Sequence, residues 1–592
     1  MTIRYRIDAT QRDGHRARGS VEIPDVRGPT VDLGVPIWVP GSYHVVNYVR
    51  GFRDVVARNA ADGTPLRVDR VEGSRWRVHA DGAATVRFDY TVYGHDLVTE
   101  AFDLTADHLF LNAALALPFV DGRLHDPVEV ELHLPRDWKV VTELEEVRAQ
   151  PPTYRAPSYD ELVDNPLDAG HPLVVTIRPR GIPHRISLCG EGGNYELHRI
   201  EEDLGRIAEA AMRLLGDSPL PSYTFFVHLT DRPDGGLEHA CSNSVVVPRT
   251  TFRPTERYER FLSLESHEYF HLYNVKRIRP KVLGPFDYAR ETYTGLLWWM
   301  EGTTDYFSDL VLRRAGLYTP SRYLEEEAKV AKELLETPGR RSLSLEDLSR
   351  IAWVDYYQRF EETPNQSVSY YTKGHVVSLC LDWEIRHRTE TRASLETVLR
   401  RLWTDYGKVG RGLEEDELQR VAERATELDL DEFFSRYVRG TAEIDLDRFA
   451  RFAGLSFGPK PKAADDRSPT PGYLGVRVQA VEGSARVTNV FVDAPGARAG
   501  LSPGDEIVAI DGTKVAGASW PKELEGFPPG SEVELTLFRR GFLRRLGATL
   551  GTPPPEKYQY LADPDAAESA KRVYESWMGA PWEPAPARSP TP

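Results

Sequence analysis

The pentapeptide His267-Glu268-Tyr269-Phe270-His271 constrains this chain more than any other stretch. It lies in a segment that reads as helix, where residues four apart share one face about one turn from each other. Two imidazoles so placed can share one tetrahedral zinc ion. The glutamate between them points toward the same ion and can take a proton from its bound water. The competing reading is a solvated helix face. Phe261, Leu264, Phe270, Leu272 and Val275 surround the motif with apolar residues and argue for burial instead. Buried histidines beside a buried glutamate need partners or a metal.

A site of this kind needs a third protein ligand and an open fourth position. The candidate is Glu301, in Trp298-Trp299-Met300-Glu301-Gly302-Thr303-Thr304-Asp305-Tyr306. The pattern predicts a helix from about Thr292 to Arg314, with Arg313 and Arg314 in its last turn and Gly316 beyond it. Leu296, Leu297, Trp298, Phe307 and Leu310 make that helix apolar, so a carboxylate at 301 should be paired. Asp305, one turn further on, shares Glu301's face and can orient a zinc-binding histidine through the ring's other nitrogen. A surface charge at Glu301 and an ordinary surface salt bridge at Asp305 are the alternatives.

Four stretches then stand at matched spacing: the pentapeptide, Asn274-Val275-Lys276-Arg277-Ile278-Arg279-Pro280, Leu283-Gly284-Pro285-Phe286-Asp287-Tyr288 and Trp299-Met300-Glu301-Gly302. Together they resemble the glycyl aminopeptidase family of gluzincin zinc metallopeptidases. Upstream, Pro36-Ile37-Trp38-Val39-Pro40-Gly41-Ser42-Tyr43 is similar to that family's N-terminal β-domain signature. Tyr273 departs from the pattern, standing where the family is expected to carry Trp.

The resemblance implies further site residues. Gly235-Gly236-Leu237-Glu238-His239 looks like the exopeptidase motif, in which Glu238 binds the free α-ammonium of a substrate beside Gly235 and Gly236. Tyr223–Leu229 and Ser244–Val247 read as strands on either side of the glycine turn, and a sheet edge there could pair with an extended peptide. Read from the residues alone, Glu238 is equally well a turn residue beside two glycines. Tyr371, in Tyr370-Tyr371-Thr372-Lys373-Gly374, corresponds to a hydroxyl that donates to the oxyanion, whose charge the metal covers only in part. Tyr370 is its rival, and either ring could simply pack a core. The implied activity is removal of one N-terminal residue, small, or acidic if Lys276, Arg277 and Arg279 face the pocket. A zinc endopeptidase assisted by the C-terminal module, and a non-catalytic peptide-binding protein, are the other readings.

The expected fold is multidomain α+β. Residues 1–187 alternate apolar and polar, as in Ala84–Tyr93 and Val128–Leu134, and predict an antiparallel β-domain of sandwich type. Residues 188–457 begin with a helix near Leu197 to Leu215, pass through short strands and turn mostly helical, resembling the thermolysin-like catalytic fold. Residues 458–470 form a Pro- and Lys-rich linker. Residues 471–552 look like a bacterial protease-type PDZ domain, a small β-rich module, with Tyr473-Leu474-Gly475-Val476 as its carboxylate-binding loop for a C-terminal peptide ligand. It could equally only pack against the catalytic domain. Residues 553–592 read as a tail with a short helix near Ala566 to Trp577 and a disordered Pro-rich end.

The 592 residues carry a formal net charge of −16, which argues against a general nucleic-acid binder. The three cysteines, Cys189, Cys241 and Cys380, show no paired spacing. No signal pattern opens the chain and no run of eighteen apolar residues follows, so a cytoplasmic peptidase without membrane contact is expected.

Overall fold

The computed structural model describes residues 1–462, 468–481, 484–515, 517, 520 and 522–583. Part of the linker, 463–467, and the Pro-rich end expected to be disordered lie outside the described residues. Two compact units emerge. One comprises Met1–Thr294, Phe307–Leu317 and Leu399–Leu418; the other comprises Gly295–Tyr306, Tyr318–Val398 and Gln419–Pro592.

In the first unit, period-two patterning produces the expected β-domain. Thr85–Tyr93 buries Val86, Phe88, Tyr90 and Val92 and turns the intervening residues outward. It sits inside an eight-stranded sheet, and two four-stranded sheets accompany it. Pairing is antiparallel with one departure from expectation: Ile3–Asp8 lies parallel to Val128–His133. A parallel partner must arrive by a crossover, and the intervening hundred-odd residues of strands and loops supply it.

A five-stranded sheet follows, in the order Leu173–Ile177, His184–Cys189, Tyr223–Thr230, Ser242–Pro248, Gly235–Glu238. Its middle three strands are parallel. Tyr223–Thr230 lies among them and is buried almost throughout, which is why it reads as a continuous apolar run. The glycine segment is more than a turn. Gly235–Glu238 is itself the edge strand, antiparallel to Ser242–Pro248, with Glu238 opposite Asn243. The helix Leu197–Leu215 closes on Gly216 in the left-handed region, φ 82°. The motif helix, Thr255–Phe270, lays Tyr258, Phe261, Leu262 and Tyr269 into the core.

The second unit is mainly helical. Its wide turn Trp298–Gly302 has the Thr303 N–H reaching back five residues to the Trp298 carbonyl, and it runs into the helix Thr303–Arg314. The helix predicted from Thr292 thus begins later, because residues 291–294 take no regular structure and 295–296 form a turn. The long helix Tyr370–Arg388 is buried nearly all round. Gly302 and Gly374 let the wide turn and this helix touch: a methyl on Gly302 would come 2.6 Å from the Gly374 Cα.

The PDZ module is a β-sheet built on Leu474, Val487, Ile507, Leu535 and Leu537. Its Val490 and Val492 backbones bond the Asn365 side chain at 2.9 and 3.1 Å, and its Asn489 side chain donates to the Glu361 carbonyl at 2.8 Å. The segment after it is more than a tail. Tyr558–Ala562 pairs antiparallel with Leu455–Pro459, and the helix Glu568–Met578 buries Trp577 against Trp383, ring centroids 5.0 Å apart.

Gly374→Ala should lower stability by about 1–3 kcal/mol, the cost of overpacking a tight contact. Its Cβ would meet the Trp298 carbonyl at 2.8 Å. An unchanged unfolding midpoint would show that turn and helix can part without cost.

Candidate active site

In the first unit, His267 lies in the last turn of the motif helix and His271 caps it. Their Nε2 atoms are 2.8 Å apart and their rings stand at 87°. A carbonyl can only accept, so the 2.7 Å contact between His271 Nδ1 and the Asn274 oxygen fixes the tautomer. Nδ1 carries the proton and Nε2 presents a lone pair toward His267. That arrangement suits a shared cation, and a backbone carbonyl behind the ring is a usual orienting partner for a ligating histidine.

The carbonyl is placed by a strained turn. Val275 has φ 115°, a conformation a β-branched residue rarely adopts. Backbone bonds from Val275 N–H to Ile278 and from Lys276 N–H to His271 hold it there. The same turn sends Lys276 to Asp164, with Nζ 2.6 Å from Oδ1. Burial pushes the Asp164 carboxyl up, but the Lys276 ammonium and His239 outweigh it and hold it below the usual range.

Glu268 is 5% exposed and lies under the edge strand; a methyl on Gly236 would come 2.2 Å from its Oε1. Glu238, 4% exposed, closes that strand. One donor atom each from Glu238, Glu268 and His271 lies within 4.8 Å of the others. Beside Glu238 a pocket of about 410 Å³ is lined by Trp38, Gly41, Asp160, Lys276 and Arg279, among others. Lys276 is engaged by Asp164. Arg277 donates to the Ala240 and Leu272 carbonyls, and Arg279 to the Gly284 carbonyl.

In the second unit, Glu301 is 2% exposed in the wide turn. Its turn is held by the Trp298 N–H donating to Ser349 Oγ at 3.0 Å. Asp305 is half-buried in the helix that follows. Tyr371 opens the long helix, its N–H donating to the capping Ser369 Oγ at 3.2 Å. Burial, and after it the Glu301 carboxylate, push the Tyr371 hydroxyl well above the usual phenol range, so it stays a donor. Tyr370 is buried to 1%, whereas Tyr371 is half-buried. Both belong to a cluster with Tyr356 and Tyr357; the Tyr357 and Tyr370 hydroxyls are 3.4 Å apart. Lys373 donates to the Arg340 and Leu343 carbonyls, and burial pulls it down to about 8.

His267 and His271 thus offer two imidazole nitrogens in the first unit, and Glu301 a buried carboxylate in the second. Two imidazoles and a carboxylate are a donor set that zinc takes in an open site. Asp164, the Asn274–Val275 turn and Tyr357 are the neighbours the sequence did not reveal. Asp164 lies a hundred residues from the motif with no pattern around it. The positive φ at a valine contradicts local preference. Tyr357 is one of many tyrosines.

In the PDZ module, Gly475 has φ 68°, Gly496 N–H donates to the Leu474 carbonyl and Phe491 N–H to the Gly475 carbonyl. Tyr473, Leu474, Gly475 and Val476 line a hollow of about 940 Å³ with Lys460, Lys557 and Trp520. Among the described residues no helix is long and apolar enough to cross a membrane.

Three family models match the chain: the Peptidase M61 N-terminal domain over residues 4–171, M61 glycyl aminopeptidase over 260–377 and a PDZ domain over 472–550. A solved aminopeptidase N family protein from Idiomarina loihiensis superposes with a TM-score of 0.90 at 29% identity, over 98% of this chain and 100% of that one. An M1 zinc metallopeptidase from Deinococcus radiodurans gives a TM-score of 0.49 at 13% identity, over 75% of this chain and 95% of its own. A curated relative, a probable periplasmic serine endoprotease DegP-like from Ectopseudomonas mendocina, is 30% identical over 136 residues, 19% of this chain. The matched stretch spans 29% of that relative's length. The chain therefore carries the two domains of the M61 glycyl aminopeptidase family, followed by a PDZ domain.

Proposed function

We propose that this protein is a zinc-dependent aminopeptidase of the gluzincin type, releasing one small N-terminal residue at a time from peptides. The observation that carries the reading is the closeness of Glu238 to Glu268 and His271 within 4.8 Å. In any peptide the α-nitrogen and the first carbonyl carbon are about 2.5 Å apart. A carboxylate that holds the ammonium therefore sets the first peptide bond, and no later one, beside Glu268.

His267, His271 and Glu301 would hold the zinc, with Asp305 supporting the ligand set from the same helix. When bound, zinc supplies Lewis acidity that lowers the pKa of water and polarises a carbonyl. Glu268 takes the proton of the attacking water and passes it to the leaving amine. Tyr371 donates its hydroxyl to the oxyanion, and Tyr370, more deeply buried, packs behind it. Glu238 binds the α-ammonium, and Gly235 and Gly236 leave the edge strand open for an extended backbone.

The pocket beside Glu238 supports a small neutral first residue. Its acidic groups, Asp160, Glu161, Asp164 and Glu238, outnumber its three Lys and Arg side chains, and Lys276, Arg277 and Arg279 already have partners. An acidic side chain would find no uncommitted cation among these three. The PDZ loop Tyr473–Val476, with Lys460 and Lys557 beside it, is suited to a peptide carboxylate.

Glu268→Gln should keep its zinc, measured by metal analysis, yet lose about 10²–10⁴-fold or more in kcat. Retained turnover would remove Glu268 as the base. Glu238→Ala should cut kcat/KM on free-amine dipeptide amides at least tenfold while leaving N-acetylated ones as poorly cleaved as before. Equal losses on both sets would end the ammonium role and revive the endopeptidase reading.

A further inference from the structure

We propose a second zinc site, distinct from the first, formed by His108, Asp168 and His228. All lie in the first unit. His108 precedes the strand Leu109–Leu111, and Asp168 sits on the paired strand Leu167–Gly170, opposite Phe110. His228 comes from the middle of the five-stranded sheet. The site thus joins the β-domain to the sheet whose edge carries Glu238.

His108 is 8% exposed, and Asp168 and His228 are fully buried. One donor atom from each lies within 4.8 Å of the others. His108 Nε2 is 2.7 Å from one Asp168 oxygen, and His228 Nε2 is 3.7 Å from the other. Donors on a tetrahedral zinc stand about 3.3 Å apart, so both gaps need to shift only by tenths of an ångström. The 3.7 Å contact is too long for a hydrogen bond. Neither ring nitrogen of His228, nor that Asp168 oxygen, has a hydrogen-bond partner among the described residues. Leaving such atoms unsatisfied in an interior is costly, and a cation between His228 Nε2 and that Asp168 oxygen satisfies both of them at once.

The surroundings fit a buried metal centre. Asp103 stands behind His108, its Oδ2 3.6 Å from Nδ1, as a carboxylate behind a ligating imidazole. Cys189 is the register partner of His228 on the neighbouring parallel strand, so both side chains leave the sheet on one face. The Phe110 ring packs edge-on against His228 at 4.5 Å and closes the site with carbon. Two imidazoles and a carboxylate, buried together, are donors that zinc takes.

The test is zinc content of the full chain after loading and desalting. Two equivalents are expected in the wild type, one in His228→Phe and one in the double variant His267→Ala/His271→Ala. A wild type holding a single zinc that the double variant loses, or a His228→Phe variant with an unchanged count, would overturn the proposal. If His228→Phe does not fold, cobalt replaces it as the readout. The double variant loaded with Co2+ should show d–d bands of a bound, low-symmetry ion that Asp168→Asn weakens. No bands would equally overturn it. Failure of the first site looks different: the double variant would then keep the wild-type count.

Discussion

The orientation of one imidazole governs the proposed chemistry. His271 gives its Nδ1 proton to the Asn274 carbonyl, and this single bond turns the Nε2 lone pair toward His267. Were the proton on Nε2 instead, that nitrogen would have no lone pair to offer and no cation could be shared. The bond exists because the chain breaks its helix at His271 and accepts φ 115° at Val275. Strain at a β-branched residue persists only where the surroundings over-determine it. Here they do: backbone bonds on either side, and the Lys276–Asp164 pair, fix the turn from three directions. The ammonium that could have served a substrate is thereby used to hold the scaffold.

The edge strand Gly235–Glu238 is the second fixed point. Gly236 lets backbone lie directly on the Glu268 carboxylate, closer than any side chain permits. Because Glu238 closes the strand, the hydrogen-bonding edge and the carboxylate belong to one rigid element. Sites on strands are held more tightly than sites on loops. The neighbouring strand Ser242–Pro248 and then Tyr223–Thr230, with His228, tie this edge to the deepest part of the unit.

Much of this was legible in the sequence where periodicity and spacing speak for themselves. The alternation in Thr85–Tyr93, the helix Leu197–Leu215 and the motif helix follow from local pattern. The Glu301 segment was readable as helix, but its wide turn and late start were not, since they depend on the fit between Gly302 and Gly374. Gly235–Glu238 passed for a turn because two adjacent glycines signal one; only pairing with Ser242–Pro248 makes it a strand. Asp164, Tyr357 and the His108–Asp168–His228 group stayed hidden for one reason. Their partners are far away in sequence, and no spacing rule links them. Tyr273, in place of the expected Trp, packs edge-on to Trp403 and donates its hydroxyl to the Asp217 carbonyl, a bond an indole at that position would have to replace.

The pairing of Tyr558–Ala562 with Leu455–Pro459 has a consequence for the order of assembly. It makes the PDZ module an insertion: the chain leaves the helical unit through one strand of a ladder and returns through the other. Trp577, which fills the space beside Trp383 and Tyr323, is therefore made only after the whole module. On the ribosome the catalytic helices must wait, with that gap open, until about a hundred further residues have emerged. Synthesis in this order makes the PDZ module a timer: the helical core is sealed only in chains that have already built the accessory domain.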